Sequence, residues 1–166
     1  MTNIKPGIAV VLANIVSTFF GVGYTGFIKG RGQGTVASFV AMVVLFLLHR
    51  KINTYTEAGI LVVFIIIAII TSGITEKFYG VKDDPRVVID EVVGCLVTMF
   101  LLPKSIIFLT AGFILFRVFD ILKPFPAKLS QNLSGGIGIV VDDIIAGIYA
   151  NVVIYISAYA IMLLYK

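Results

Sequence analysis

Five acidic side chains stand inside or at the edge of apolar runs: Asp90, Glu91, Asp120, Asp142 and Asp143. Asp90-Glu91 opens one run, Asp120 closes the next, and Asp142-Asp143 lies near the start of the last. A charge at the centre of a membrane helix costs roughly 2.5–3.5 kcal/mol, and less near its ends. Meeting that cost five times calls for a use. The basic groups set to offset these acids are Arg117 and Lys123, and Arg117 shares a helix face with Asp120 three residues on. Five negatives against two positives leave three charges uncompensated if all ionise. Either some carboxyls are protonated or divalent cations sit among them. Hard oxygen ligands on facing helices suit Mg²⁺, which keeps waters and takes substrate phosphate into its shell. The candidate metal ligands are Asp90, Glu91, Asp142 and Asp143, and all five acids are catalytic candidates. A purely structural network of intramembrane ion pairs is the bland alternative, and it would suffice for one acid better than for five.

The elements that must position these groups are apolar helices. The chain has 166 residues, 59% of them hydrophobic and 13% charged, where soluble domains carry nearly twice that charge. With a mean hydropathy of +1.07, the apolar residues exceed what one small core hides. This composition excludes a water-soluble globular domain and a disordered chain. It predicts an all-α integral membrane bundle in one domain, residues 1–166. A run from Ile8 to Phe20 reads as a short or interfacial helix retained in the mature protein, since no small-x-small cleavage site follows it. About five transmembrane helices follow, at Thr35–Leu48, Ala58–Thr75, Val87–Leu102, Ser105–Leu122 and Gly138–Tyr165.

Counting crossings places the glycine-rich connection, the loop 76–86 and the loop 123–137 on one side. That side carries Lys29, Arg31, Lys77, Lys82, Arg86, Lys123 and Lys128. The other carries Arg50, Lys51, Lys104 and Lys166, with Lys5 if the first helix crosses. The excess of positive charge predicts that the first side is cytoplasmic. The net charge of +4 goes with anionic headgroups rather than nucleic acid, because no basic run exceeds Arg50-Lys51. The acids fall at the ends of their helices facing the cytoplasmic side, so three helices bring five carboxylates to one depth.

What is missing narrows the chemistry. The single histidine, His49, lies on the opposite side and cannot serve as nucleophile or base. The single cysteine, Cys95, lacks the Gly-rich, Arg-ended loop of a cysteine phosphatase and reads as a buried small hydrophobe. Asp142-Asp143 lacks the Asp-x-Asp spacing of an aspartyl-phosphate enzyme. What remains is metal-assisted attack of water on phosphorus, with Arg117 and Lys123 holding phosphate oxygens. Gly34-Thr35, at the start of a helix with unpaired amides, offers a further anion site, as does Gly135-Gly136-x-Gly138, although glycines at helix starts are more often turns. Gly94 and Gly147, each four residues after an acid, let helices approach.

Three blocks then resemble a known family. They are Val88-Ile89-Asp90-Glu91-Val92-Val93-Gly94, the stretch Phe116-Arg117-Val118-Phe119-Asp120 through Lys123-Pro124-Phe125-Pro126, and Gly135-Gly136-Ile137-Gly138 through Asp142-Asp143 to Gly147. Together they resemble the signature blocks of the phosphatidylglycerophosphatase A family, in order and spacing, over most of the chain after Gly21. The family usually shows Lys-Ala-Pro-Gly-Thr where this chain reads Lys29-Gly30-Arg31-Gly32-Gln33-Gly34-Thr35, with no proline and an added arginine. The resemblance implies a Mg²⁺-dependent lipid phosphatase of the bacterial inner membrane. Its substrate would be the phospholipid phosphatidylglycerophosphate, its product phosphatidylglycerol, and Lys29, Gly34 and Thr35 would join Arg117 and Lys123 at the substrate phosphate. Two other classes compete. An ion-coupled transporter also places acids at broken helices, but it usually carries internal repeats. A non-enzymatic subunit of a membrane complex explains the apolar composition and leaves the five acids without a purpose.

Overall fold

A side-chain cap and a left-handed stop bound the most exposed long helix, α3 (Thr54–Tyr79). Asn53 accepts a hydrogen bond from the Thr56 amide at 2.9 Å, and Gly80 ends the helix at φ 66°. The computed structural model describes residues 6–26, 32–48, 53–130 and 132–164. Among them every regular element is a helix: α1 (Ile8–Ser17), α2 (Gln33–Leu48), α3, α4 (Ile89–Met99), α5 (Ile106–Leu122), the short α6 (Ala127–Ser130) and α7 (Gly135–Leu164). A single 3₁₀ turn at Val22–Tyr24 follows α1.

Among the described residues two helices, α3 and α7, are long and apolar enough to cross a membrane. Only 17% of the apolar centre of α3 is buried, against 50% for α7. Val62, Val63, Ile66 and Ile70 each stand more than half exposed on α3. A soluble fold hides such a helix; here it faces outward, as a helix does when its solvent is hydrocarbon. At 16 and 17 residues, α2 and α5 reach about 24–26 Å. The 10-residue α1 reaches about 15 Å and packs on α3, where Ser17 Oγ and Thr75 Oγ1 lie 2.9 Å apart.

The centre of the bundle is α4, in contact with α1, α2, α3, α5 and α7. The apolar run Val87–Leu102 predicts a spanning segment, yet the helix covers only 11 residues, about 16 Å. It stops because Phe100 leaves helical geometry at ψ 128° and Leu101 turns left-handed at φ 61°, ahead of Pro103. Ending a helix inside an apolar bundle strands carbonyl groups. Asn151 on α7 answers this by donating from Nδ2 to the carbonyls of Thr98 and Phe100, each at 2.9 Å. The α4–α7 crossing is set by glycines. A Cβ on Gly147 would meet the Gly94 carbonyl oxygen at 2.6 Å, and one on Gly94 would meet the Asp143 carbonyl oxygen at 3.1 Å. No larger residue allows the two backbones to lie so close.

Candidate active site

The Gly94–Gly147 crossing lies one turn from Asp90 on α4 and from Asp143 on α7, so closing the helices there closes the acids above it. All five acids expected from the sequence line a single cavity of about 350 Å³, together with Arg117, Lys123 and Gly34. Asp90 and Glu91 stand in the first turn of α4, Arg117 and Asp120 lie near the end of α5, Lys123 follows as its left-handed cap at φ 44°, and Asp142 and Asp143 stand about two turns inside α7 rather than at its start. The remaining wall is Gly32 and Gln33 from the glycine-rich connection and Asp83, Pro85 and Val87 from the loop after α3. The connection, the loop after α3 and the α5–α6 junction therefore share one end of the bundle.

Within this cavity the acids divide. Carboxylate oxygens of Asp90, Glu91 and Asp143 all lie within 4.8 Å of one another. Asp90 and Asp143 are buried, and Asp90 Oδ1, Glu91 Oε2 and Asp143 Oδ2 have no hydrogen-bond partner. Burying such oxygens without a donor or counter-charge is costly. Hard anionic oxygens, converging and unsatisfied, fit a divalent cation of the Mg²⁺ type. The fourth expected ligand, Asp142, lines the same cavity but stands outside that trio, with its Oδ2 2.5 Å from Lys123 Nζ.

The cations are held by the remaining acids. Arg117 Nη1 forms an ion pair with Asp120 Oδ2 at 2.8 Å, while Arg117 Nε is buried without a hydrogen-bond partner. Burial alone would lower the Lys123 pKa. The bond to Asp142, with the charges of Asp142 and Asp143, outweighs burial and raises it, so the ammonium stays charged. Gly34 is where α2 touches the site. A Cβ there would lie 1.9 Å from Glu91 Oε1 and 3.3 Å from Arg117 Nη1, so a larger residue would push the Glu91 carboxylate from this position. Thr35 is exposed and is not part of the cavity lining, and Lys29 lies outside the described residues. Gly136, in the other glycine run, is a packing contact: a Cβ on it would meet the Ile69 carbonyl oxygen at 1.8 Å. Cys95 is fully buried and donates to the Ser38 carbonyl, away from the cavity lining.

Converging carboxylates with open valences, an arginine with a spare donor and a charged lysine are groups whose chemistry suits a phosphate ester and a divalent cation. The family model described as phosphatidylglycerophosphatase A matches residues 15–158, which include every described residue of that site. The chain belongs to the phosphatidylglycerophosphatase A family. It is therefore an enzyme of the phosphatase type. A Bacteroides thetaiotaomicron protein, provisionally named a phosphatidylinositol-3-phosphatase, is 32% identical over 150 residues, covering 89% of this chain and 94% of that protein. Two proteins named phosphatidylglycerophosphatase A match over shorter stretches. The one from Haemophilus influenzae is 43% identical over 82 residues, 48% of this chain and 50% of the relative. The one from Escherichia coli K12 is 39% identical over 83 residues, 49% of this chain and 48% of the relative. Each of these two matches thus spans about half of this chain and half of the relative. No solved structure matches it.

Sequence reasoning passed over Asp83, a sixth acid at the cavity. It stands in a loop rather than an apolar run, so the cost of burying charge did not mark it. Its left-handed backbone, φ 54°, places it against the site, and its charge reaches Asp142. The loop is braced from behind. Asp84, buried, receives Arg86 Nε at 2.9 Å and Nη2 at 2.5 Å, and the Arg86 guanidinium lies 4.2 Å from the Tyr79 ring centre. The signal was the Asp83-Asp84-Pro85-Arg86 string itself: two acids and an arginine at a turn immediately before Asp90.

Proposed function

We propose that this chain hydrolyses the phosphomonoester of phosphatidylglycerophosphate to phosphatidylglycerol and inorganic phosphate, a step of phospholipid biosynthesis. The reaction breaks the bond between phosphorus and the glycerol oxygen; water supplies the oxygen gained by phosphate and the proton gained by glycerol. What carries this reading is the trio Asp90, Glu91 and Asp143, whose carboxylates converge within 4.8 Å and each keep one buried oxygen without a partner, beside Arg117 and Lys123. In this reading the trio holds Mg²⁺, with Asp142 beside it tied to Lys123. When bound, the cation polarises phosphoryl oxygens and activates water.

Arg117 presents its spare Nε donor to the phosphoryl oxygens, and Asp120 fixes the plane of the guanidinium through their ion pair. Asp142 does the same for the Lys123 ammonium. Gly34 keeps the start of α2 close enough to close the site over Arg117, and Lys29, in the same connection, is the further cation assigned to phosphate. Thr35, exposed and off the lining, is left out of this role.

The protein so read sits in the bacterial inner membrane as a multi-pass bundle of about five spans, with α1 short. The charge excess on the loops around the site, seven basic residues against at most five, turns the site toward the cytoplasm. A second reading takes phosphatidylinositol 3-phosphate as substrate, favoured by the Bacteroides relative that matches along 89% of this chain. Both substrates are phosphomonoesters on a diacyl lipid, so the same trio and cations serve either. Phosphate release from each lipid by the detergent-solubilised protein, with Mg²⁺ and with excess chelator, separates the readings. Turnover of phosphatidylglycerophosphate that chelator abolishes is the expected result. Turnover of the inositol lipid alone replaces the substrate, and full activity in chelator removes the cation.

A further inference from the structure

The site receives a headgroup, and a lipid substrate brings acyl chains that need a place of their own. On α5, Ile106, Leu109, Phe113, Arg117 and Asp120 recur every three or four residues and so share one stripe of the helix. The upper part of that stripe is in the polar cavity; the lower part lines an apolar groove of about 220 Å³ between α5 and α2. The opposite wall of the groove is Met42, Val43 and Phe46 of α2, the helix whose Gly34 touches Arg117. At the head end, Phe39 of α2 and Phe113 of α5 meet edge to face with ring centres 6.2 Å apart. Phe113 lies about 6 Å along the axis from Arg117, and Ile106 about 16 Å. Phe39, Val43 and Ile106 are 59%, 40% and 66% exposed, so the groove is open along its side to the surrounding hydrocarbon.

A second apolar groove, between α5 and α7, is larger at about 380 Å³. Its α5 wall is Phe108, Ala111 and Leu115, on the far side of the helix from the Arg117 stripe. Size favours that groove, but continuity with the site favours the first. The same two helices that supply Gly34 and Arg117 to the headgroup cavity also form the walls of the α2–α5 groove.

We infer that the α2–α5 groove seats one acyl chain of the lipid whose phosphate occupies the cavity, and that this seating sets the headgroup's depth and register. The inference rests on the lipid phosphatase reading above. In hydrocarbon the groove gains little from hydrophobicity, because lipid tails are as apolar as its walls. Its effect is on position: a chain lying along the stripe from Phe113 toward Ile106 aims its own headgroup at Arg117. A misplaced phosphate loses turnover steeply, since reaction depends on near-attack geometry.

The test compares dioleoyl- and dihexanoyl-phosphatidylglycerophosphate in detergent micelles, read as the ratio of kcat/KM for the long-chain to the short-chain lipid. Thr110→Phe fills the groove from α5, and Val43→Phe fills it from α2 should the first variant fold poorly. Ala158→Phe fills the α5–α7 groove as the control. The expected result is a ratio that falls on the order of tenfold when the α2–α5 groove is filled. The ratio should stay unchanged in Ala158→Phe. An unchanged ratio in both Thr110→Phe and Val43→Phe overturns the inference, as does an equal fall in Ala158→Phe. If the unmodified protein releases phosphate from neither lipid, it is the phosphatase reading that has failed.

Discussion

The two ends of the bundle use charge in opposite ways. At the end formed by the start of α3 and the α4–α5 connection, Glu57 and Lys104 pair one to one at 2.5 Å. At the other end the cavity gathers Asp83, Asp90, Glu91, Asp120, Asp142 and Asp143 against Arg117 and Lys123. Two of these six acids are occupied by the two cations, and three of the rest keep oxygens with no partner. A pair that serves only structure satisfies itself. A cluster that leaves oxygens open and cations half-used is incomplete without something from outside, and that asymmetry separates a site from a fastening.

The largest way to break this contrast is to remove the open acids. Asp90→Asn or Asp143→Asn should lower kcat by about 10³-fold or more, since both the cation and its charge stabilisation go. The melting temperature should hold or rise, because like charges in one buried cluster repel. A loss of activity matched by loss of folded protein would make the trio structural. Next comes the crossing that brings the acids together. Gly147→Ala places a methyl 2.6 Å from the Gly94 carbonyl, so α4 and α7 must separate. We expect a destabilisation of about 1–3 kcal/mol and a fall in kcat larger than that loss of folded protein explains.

The depth to which the contrast could be read from sequence depends on the residue. Asp90, Glu91, Asp120, Asp142 and Asp143 stood out because a charge in an apolar run has a known cost, and helix order then placed them at one end. The length of the apolar runs Ala58–Thr75 and Gly138–Tyr165 marked α3 and α7. The early end of α4 was not legible, because Phe100-Leu101-Leu102 is as apolar as the helix before it; the turn depends on Asn151, about fifty positions away. Nor could sequence say which of the adjacent Asp142 and Asp143 joins the trio, since that depends on the rotation of α7 against α4. Asp83 escaped because its loop carries no periodic signal, and the Asp84–Arg86 fork that braces it appears only in three dimensions.

Two smaller effects sharpen the comparison from the structural side. Asn151→Ala strands the Thr98 and Phe100 carbonyls and should cost about 1–3 kcal/mol, seen as a lower melting temperature, while the KM for Mg²⁺ stays the same. Asp84 supplies a pH dependence. Its hydrogen bonds from Arg86 hold its carboxyl below the ordinary aspartate range. A folded pKa below the unfolded one gives stability that is present above the unfolded value and lost as pH falls through the folded one. The protein should therefore lose stability on acidification below about pH 4, and Asp84→Asn should flatten that part of the thermal-shift profile.

The central claim, that the open acids form a cation site while the paired end does not, is most directly tested by binding Mn²⁺ as a paramagnetic probe. Measured by electron paramagnetic resonance on the detergent-solubilised protein, Mn²⁺ should bind the unmodified chain and be displaced by Mg²⁺. Binding should weaken at least tenfold in Asp90→Asn and persist unchanged in Glu57→Gln. Equal Mn²⁺ affinity in the unmodified protein and in Asp90→Asn would contradict the account.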